Sequence, residues 1–262
     1  MIIDEVLKIG KTILKNAGLK SPILDSEILM SFVLNNSREF VLLNLDKNLE
    51  RNKIIYFEDL ITQRLKGKPV AYLIKKKDFW RHEFLIKEDV LIPRPDTETL
   101  IEEILNFTKS KHNQRILDIG VGSGCILLSV LKEKKDFQGI GVDISKKCIS
   151  LSKANAQKLG LINRVKFFQS DIDNFANGKY DLIISNPPYI KKHDLKYLEK
   201  DIIKFEPKLA LDGGLDGLSK IRKIIIKSSE LIKKKGKLIL EIGLDQKKNV
   251  KDLLNKNGFY ID

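Results

Sequence analysis

This 262-residue chain is expected to adopt an α/β fold: a mostly parallel, doubly wound sheet, preceded by a small all-helical domain and joined to it by a β-hairpin. Three observations predict it. From Arg115 onward short apolar runs alternate with helical patterns, the rhythm that builds a parallel sheet covered on both faces. Before about residue 75 the apolar residues recur only at helical spacing. Between them, Asp78 to Ile92 changes to the shorter period of paired strands. The resulting division is 1–75 helical, 76–95 hairpin and linker, and 96–262 for the sheet domain.

The elements follow in order. Val6, Leu7, Ile9, Ile13 and Leu14 form one helical face, and Gly18 offers its stop. Asp25 precedes a second apolar run through Ile28, Leu29, Phe32 and Val33, and a third helix spans roughly Leu49 to Leu65, ending at Gly67 and Pro69. Phe79, Trp80, Phe84, Ile86, Val90 and Leu91 mark the strand pair. Ile92-Pro93-Arg94-Pro95-Asp96 then blocks helix twice, and Asp96 is the expected N-cap of a helix carrying Leu100, Ile101, Ile104 and Leu105. Strands are expected at Arg115–Ile119, Gly139–Ile144, Val165–Gln169, Tyr180–Ser185 and Lys237–Ile242. Helices are expected at Cys125–Lys134, Ser145–Leu159 and Leu218–Lys234, with Ser145 as a good N-cap.

Composition excludes several function classes. Hydrophobic residues are 42% and charged residues 32%, ordinary for a globular protein. No apolar stretch approaches the ~18 residues of a membrane span. Met1 to Gly10 carries Asp4 and Glu5 and lacks a basic leader region, so a cytoplasmic protein is expected. Cys125 and Cys148 fit no metal-ligand spacing and read as buried small hydrophobes. His82, His112 and His193 show no paired spacing, which argues against a metal site or a histidine-centred triad. The net charge of +13 comes from lysines spread over the whole chain, a solvated surface rather than a nucleic-acid stripe.

The first expected strand runs into Leu117-Asp118-Ile119-Gly120-Val121-Gly122-Ser123-Gly124, with a helix opening at Cys125. Glycines there let the backbone turn sharply and let a nucleotide approach closely. The spacing is Gly-x-Gly-x-Gly, neither the Gly-x-Gly-x-x-Gly of dinucleotide folds nor a P-loop with its Gly-Lys-Ser/Thr. Asp143, ending the second strand, is placed to accept the hydroxyl hydrogens of a ribose, which suits NAD as well as S-adenosylmethionine. Asp171 and Ile172, after the third strand, lie where an adenine belongs: the acid for its exocyclic amine, the isoleucine for its ring.

Ser185-Asn186-Pro187-Pro188-Tyr189-Ile190 ends the fourth strand and is the most informative hexapeptide. Proline has no N–H, so two in succession fix the backbone and free carbonyls from local pairing. The Asn186 oxygen and the Pro187 carbonyl can accept the two hydrogens of a planar –NH2 group, and Tyr189 offers a flat ring to its face and cation–π attraction to a nearby sulfonium. Two acceptors aimed at those hydrogens favour the charge distribution in which an amide nitrogen becomes nucleophilic. In-line methyl transfer without a dedicated general base follows as an expectation.

In one order along the chain stand Ile92–Glu98, Asp118–Gly124, Asn186–Tyr189, Glu206-Pro207 with Ala210–Gly214, and Glu241-Ile242-Gly243. That order resembles the HemK/PrmC family, the protein-glutamine methyltransferases, over nearly the whole chain. The resemblance implies a Rossmann-like class I methyltransferase domain that uses S-adenosylmethionine and releases S-adenosylhomocysteine. It implies methylation of the glutamine in the Gly-Gly-Gln motif of class I peptide chain release factors. A monomer that needs no direct nucleic acid and no membrane is expected. Gly120, Val121, Gly122, Ser123, Gly124, Asp143, Ile172 and Asn186 would contact the cofactor, and Asn186, Pro187, Pro188 and Tyr189 the glutamine. Ile172 stands where some relatives carry an aromatic residue. The helical domain and Ile92–Glu98 would dock the release factor. Family chains continue into a further antiparallel strand, whereas Gly258–Asp262 reads as the start of a hairpin that then stops. An irregular end and an exposed sheet edge are therefore expected, not a complete seven-stranded sheet.

The main alternative is a methyltransferase for a base amine, adenine or guanine, which poses the same planar –NH2 problem. Such an enzyme must flip its base into a basic groove, and the helical domain carries no nucleic-acid motif. A non-enzymatic binding module would have no chemical reason to keep both the glycine turn and Asn186–Tyr189, and a hydride-transfer enzyme lacks the glycine spacing.

Overall fold

The computed structural model describes residues 1–261 and divides them into two compact units: 1–75 with 200–205, and 76–199 with 206–261.

In the first unit, α1 (Ile3–Asn16) begins with Asp4 and Glu5 in its first turn, where acids complement the helix dipole, and Glu5 accepts the Ile2 N–H at 3.0 Å. Its buried face is Ile3, Val6, Leu7, Gly10 and Leu14. Gly10 permits close packing on α4 (Arg51–Leu65), because a Cβ there would stand 2.8 Å from the Phe57 ring. Helix α2 starts earlier than the apolar run suggests, at Pro22, and ends at Leu34 before the left-handed Asn35. A proline at the first helical position explains the early start. Asp25 therefore lies inside the helix, buried, with Arg64 Nε donating to it at 2.7 Å. Two short helices lacked a readable periodicity: α3 (Arg38–Leu43), capped by Ser37, and α5 (Val70–Ile74) after Pro69. The first unit also takes α9 (Lys200–Phe205), held by Arg64 Nη1 to Asp201 at 3.5 Å and Lys204 Nζ to the Lys66 carbonyl at 3.1 Å.

The second unit opens with the expected hairpin, β1 (Lys76–Phe79) against β2 (His82–Leu85), turning at Trp80 and Arg81. A 3₁₀ turn, Pro95–Thr97, precedes α6 (Glu98–Phe107). Asp96 is thus not the N-cap. The 3₁₀ turn moves the cap position to Thr97, whose side chain makes no capping bond. Then come β3 (Arg115–Ile119), α7 (Cys125–Glu133), β4 (Gln138–Asp143), α8 (Lys146–Lys158), β5 (Val165–Gln169) and β6 (Tyr180–Ser185). The chain continues, after α9, through α10 (Ser219–Leu231), β7 (Ile232–Leu240) and α11 (Lys247–Lys256). Ser145 caps α8, accepting from Cys148 N.

The five strands pair in the order β5-β4-β3-β6-β7, all parallel. Alternate residues of each strand face opposite layers. Ile116, Leu182 and Ile184 join one core with Leu100, Leu127, Leu131 and Ile149 from α6, α7 and α8. Leu117, Ile119, Val142 and Ile183 join the other with Phe175, Ile224 and Leu231. Both cysteines are buried thiols pushed up to about 12 by burial, as small hydrophobes should be. Strand β7 begins earlier than its apolar run, because Tyr180 pairs with Ile232 before a bulge shifts the register to Leu182 and Lys237. Among the described residues it pairs only with β6 and so forms a sheet edge, and residues 259–261 carry no regular structure. Asp262, the last residue of the expected hairpin, lies outside the described residues.

Candidate functional site

Chain order reverses about the central strand: β4 and β5 lie on one side of β3, β6 and β7 on the other. Such a switch point opens a crevice at the carboxyl ends of the strands. A cavity lies there, walled by Gly120 and Gly122 after β3, Asp143 and Ser145 after β4, Asp171 and Ile172 after β5, and Asn186, Pro187 and Pro188 after β6. The wall also includes Asp89 and Leu91 from the linker, Pro207 and Ala210 of the Glu206–Gly214 motif with Leu209 between them, and Lys220, Lys223 and Ile224 of α10.

The five residues of the glycine turn divide into two groups. Gly120, at φ +76°, and Gly122, at φ +55°, line the cavity. A Cβ on Gly120 would meet nothing within 4 Å, so the glycine leaves open the space a ligand needs. Val121, Ser123 and Gly124 are not on the wall. Val121 packs into the core, Ser123 gives its carbonyl to Asn155 Nδ2 at 2.9 Å, and a Cβ on Gly124 would press on Leu128 and Ser152. Their contribution is the turn itself.

Asp143 grips that turn. Its Oδ2 accepts the Gly122 N–H at 3.0 Å and its Oδ1 the Ser145 N–H at 2.8 Å. A carboxylate oxygen has more than one acceptor direction, so both can still take a hydroxyl hydrogen. Burial raises its pKa, against the pull of the two N–H donors. Asp118 sits deeper: it is fully buried, neither oxygen has a hydrogen-bond partner, and burial pushes its carboxyl up to about 8. It does not line the cavity. Asp171 turns one oxygen onto its own chain at Asp173 N, 3.2 Å away, and Ile172 joins the apolar layer beside Phe175.

The Asn186–Tyr189 turn is braced on several sides. Ser185, fully buried, donates to the Ile119 carbonyl at 2.6 Å, joining the ends of β6 and β3. Asn186 Nδ2 donates to Thr97 Oγ1 at 3.1 Å, and its Oδ1 has no partner among the described residues. Nor does any described donor reach the carbonyls of Pro187 and Pro188. Three acceptors are therefore free beside one another. Tyr189 is near but not on the cavity wall. Its ring joins Leu218, Leu240 and Ile242, and its hydroxyl donates to Glu241 Oε1 at 3.2 Å. Burial, then the Glu241 charge, pushes the phenol up to about 12, so it remains neutral.

Two residues with no expected role at the site, Gln246 and Thr97, hold this region. Gln246, 2% exposed, donates to the carbonyls of Tyr189 (2.9 Å) and Gly217 (3.2 Å) and accepts the Gly243 N–H (2.9 Å). Thr97, equally buried, holds Asn186. Glu206, of the recognised Glu-Pro pair, accepts from Arg94 Nη2 at 2.5 Å and from Ile92 N at 3.4 Å. Ile92–Glu98 thus reaches both ends of the segment 186–206.

Residues 5–74 match the PrmC N-terminal domain, and residues 95–215 match the Methyltransferase small domain. The chain is 36% identical to a release factor glutamine methyltransferase of Clostridium acetobutylicum, over 99% of this chain and 92% of that protein. It is 38% identical to one from Buchnera aphidicola subsp. Baizongia pistaciae, over 95% and 91%, and 37% identical to one from Rhodospirillum rubrum, over 98% and 79%.

Proposed function

This chain belongs to the family of release factor glutamine methyltransferases, and we propose that it methylates the side-chain amide nitrogen (N5) of the Gly-Gly-Gln glutamine in class I peptide chain release factors. S-adenosylmethionine is the methyl donor, supplying a methyl group on a positively charged sulfur, already a strong electrophile. The observation that carries the reading is the group of unpartnered acceptors at Asn186 Oδ1, Pro187 O and Pro188 O, beside a cavity whose glycine turn is kept open.

Asp143 holds the ribose hydroxyls, and its bonds to Gly122 and Ser145 keep it aimed there. Gly120 and Gly122 leave room for the amino-acid portion of the donor, with Val121, Ser123 and Gly124 shaping the turn. Ile172 packs on the adenine and Asp171 accepts from its amine. Asn186 Oδ1 and the Pro187 carbonyl accept the two hydrogens of the glutamine amide, which draws nitrogen lone-pair density out of the carbonyl and toward the methyl. Pro188 forms the adjoining wall, with Tyr189 behind it, fixed by Glu241 and Gln246. Since neutral Tyr189 and acceptor-only carbonyls offer no base, alignment supplies most of the acceleration and the proton leaves after transfer. The helical unit, 1–75, serves as the docking domain for a cytoplasmic release factor. A base amine fits the same acceptors, but the relatives matched over nearly their full length favour the protein substrate.

Asn186→Ala removes one of the two acceptors, a loss of about 2–4 kcal/mol of transition-state stabilisation. Single-turnover transfer to a release factor, at saturating S-adenosylmethionine, should slow by about thirtyfold to a thousandfold. A variant at the wild-type rate would defeat the assignment.

A further inference from the structure

Thr97 ends the 3₁₀ turn before α6 and is 2% exposed. A threonine at a helix N-cap ordinarily turns its hydroxyl onto its own helix. Here it makes no such bond and instead takes Asn186 Nδ2 at 3.1 Å.

That contact bears on the chemistry because a primary amide is ambiguous end for end. Half a turn about its last bond exchanges oxygen for nitrogen in nearly the same shape. With oxygen toward the substrate, Asn186 accepts from the glutamine –NH2. With nitrogen toward it, donors would face donors and the nucleophile would lose an acceptor. A hydroxyl can accept from Nδ2 or donate to Oδ1, so the bond to Thr97 fixes where the amide sits; with Nδ2 engaged, Oδ1 is the free end.

Both partners stand on anchored backbone. Asn186 lies between Ser185, bonded to the end of β3, and the rigid Pro187-Pro188 pair. Thr97 lies between Arg94, paired with Glu206, and Glu98, whose Oε1 accepts the Trp80 N–H at 2.8 Å. Neither side is free to drift and replace a lost hydroxyl.

We propose that Thr97 is a positioning residue for methyl transfer: its hydroxyl holds the Asn186 side chain in place for the substrate amide. It sets the rate of the transfer step while touching neither cofactor nor substrate. The inference rests on the reading of Asn186 as an acceptor for the glutamine amide.

The test compares Thr97→Val, which keeps the shape and deletes the hydroxyl, with Thr97→Ser, which keeps the hydroxyl. Steady-state kinetics on a release factor are measured beside S-adenosylmethionine affinity by calorimetry. Thr97→Val should lower kcat about tenfold or more, with KM for the release factor and cofactor affinity nearly unchanged. Thr97→Ser should restore most of the rate. In an Asn186→Ala background, Thr97→Val should add no further loss, since the residue it acts through is gone. Wild-type kcat in Thr97→Val, a serine variant as slow as the valine one, an additive loss in the double variant, or a parallel collapse of cofactor affinity would each overturn the proposal. If Thr97→Val does not fold, Thr97→Ala against Thr97→Ser makes the same comparison. Full activity in Asn186→Ala alone would instead overturn the underlying reading of Asn186.

Discussion

Removing Arg94 should destabilise the protein much more than neutralising Glu206, although the two form a single ion pair. The Glu206 side chain is 1% exposed and the Arg94 side chain 35%. Arg94→Ala leaves a buried carboxylate whose one remaining partner among the described residues is the Ile92 N–H, at 3.4 Å. Stranding one charge of a buried pair costs about 3–5 kcal/mol. Glu206→Gln removes the buried charge, keeps an acceptor for Ile92, and leaves a guanidinium that can turn to water. Discounted for that exposure, the loss should be about 1–2 kcal/mol. The chain has one tryptophan, Trp80, in the same unit as the pair, so its fluorescence follows unfolding there. Urea titrations at neutral pH should show the Arg94→Ala midpoint shifted clearly further than that of Glu206→Gln. Equal shifts, or a larger one for Glu206→Gln, would refute the argument from unequal burial.

Other perturbations follow from the same geometry. Arg64→Met strands buried Asp25 and should cost about 3–5 kcal/mol, most of it recovered when Asp25→Leu is added; urea unfolding followed by circular dichroism decides, and a double variant no more stable than the single would contradict it. Gly217, at φ +76°, has no room for a Cβ, which would stand 2.5 Å from the Tyr189 carbonyl and 2.6 Å from Gln246 Nε2. Gly217→Ala should therefore cost about 2–4 kcal/mol and lower kcat, and an unshifted melting curve would count against the bracket. Asp118, about 8 when folded against an ordinary 3.8, binds a proton more tightly in the native state. Its contribution is present below the ordinary value and is lost as pH rises through the window up to about 8, by at most about 1.4 kcal/mol per pH unit. Asp118→Asn should flatten that decline in urea midpoints, and an unchanged slope would exclude Asp118 as its source.

What could be read from the sequence was what lies close along the chain. Strands β3, β5 and β6 were legible to the residue because each is a short apolar run between turn residues. The glycine turn and Asn186–Tyr189 were legible because their chemistry is contiguous. Features set by distant partners were not. Thr97 was legible only as part of the Ile92–Glu98 segment, not as the partner of Asn186, and α9 gives no sign that it belongs with the helical unit, because its partner Arg64 is remote in sequence. Tyr189 could be expected near the ligand, but Glu241 and Gln246, both well downstream, draw its hydroxyl and carbonyl away from the cavity wall. The N-cap moved from Asp96 to Thr97 because a 3₁₀ turn, indistinguishable by periodicity, precedes α6.

The most direct test of the account is mass spectrometry of a purified release factor incubated with this enzyme and S-adenosylmethionine, beside a release factor whose Gly-Gly-Gln glutamine is replaced and a nucleic-acid control. The account predicts one added methyl group on the peptide bearing Gly-Gly-Gln, at the glutamine side chain, and none in either control. Methyl groups on the nucleic acid, or on the release factor after its glutamine is replaced, would contradict it.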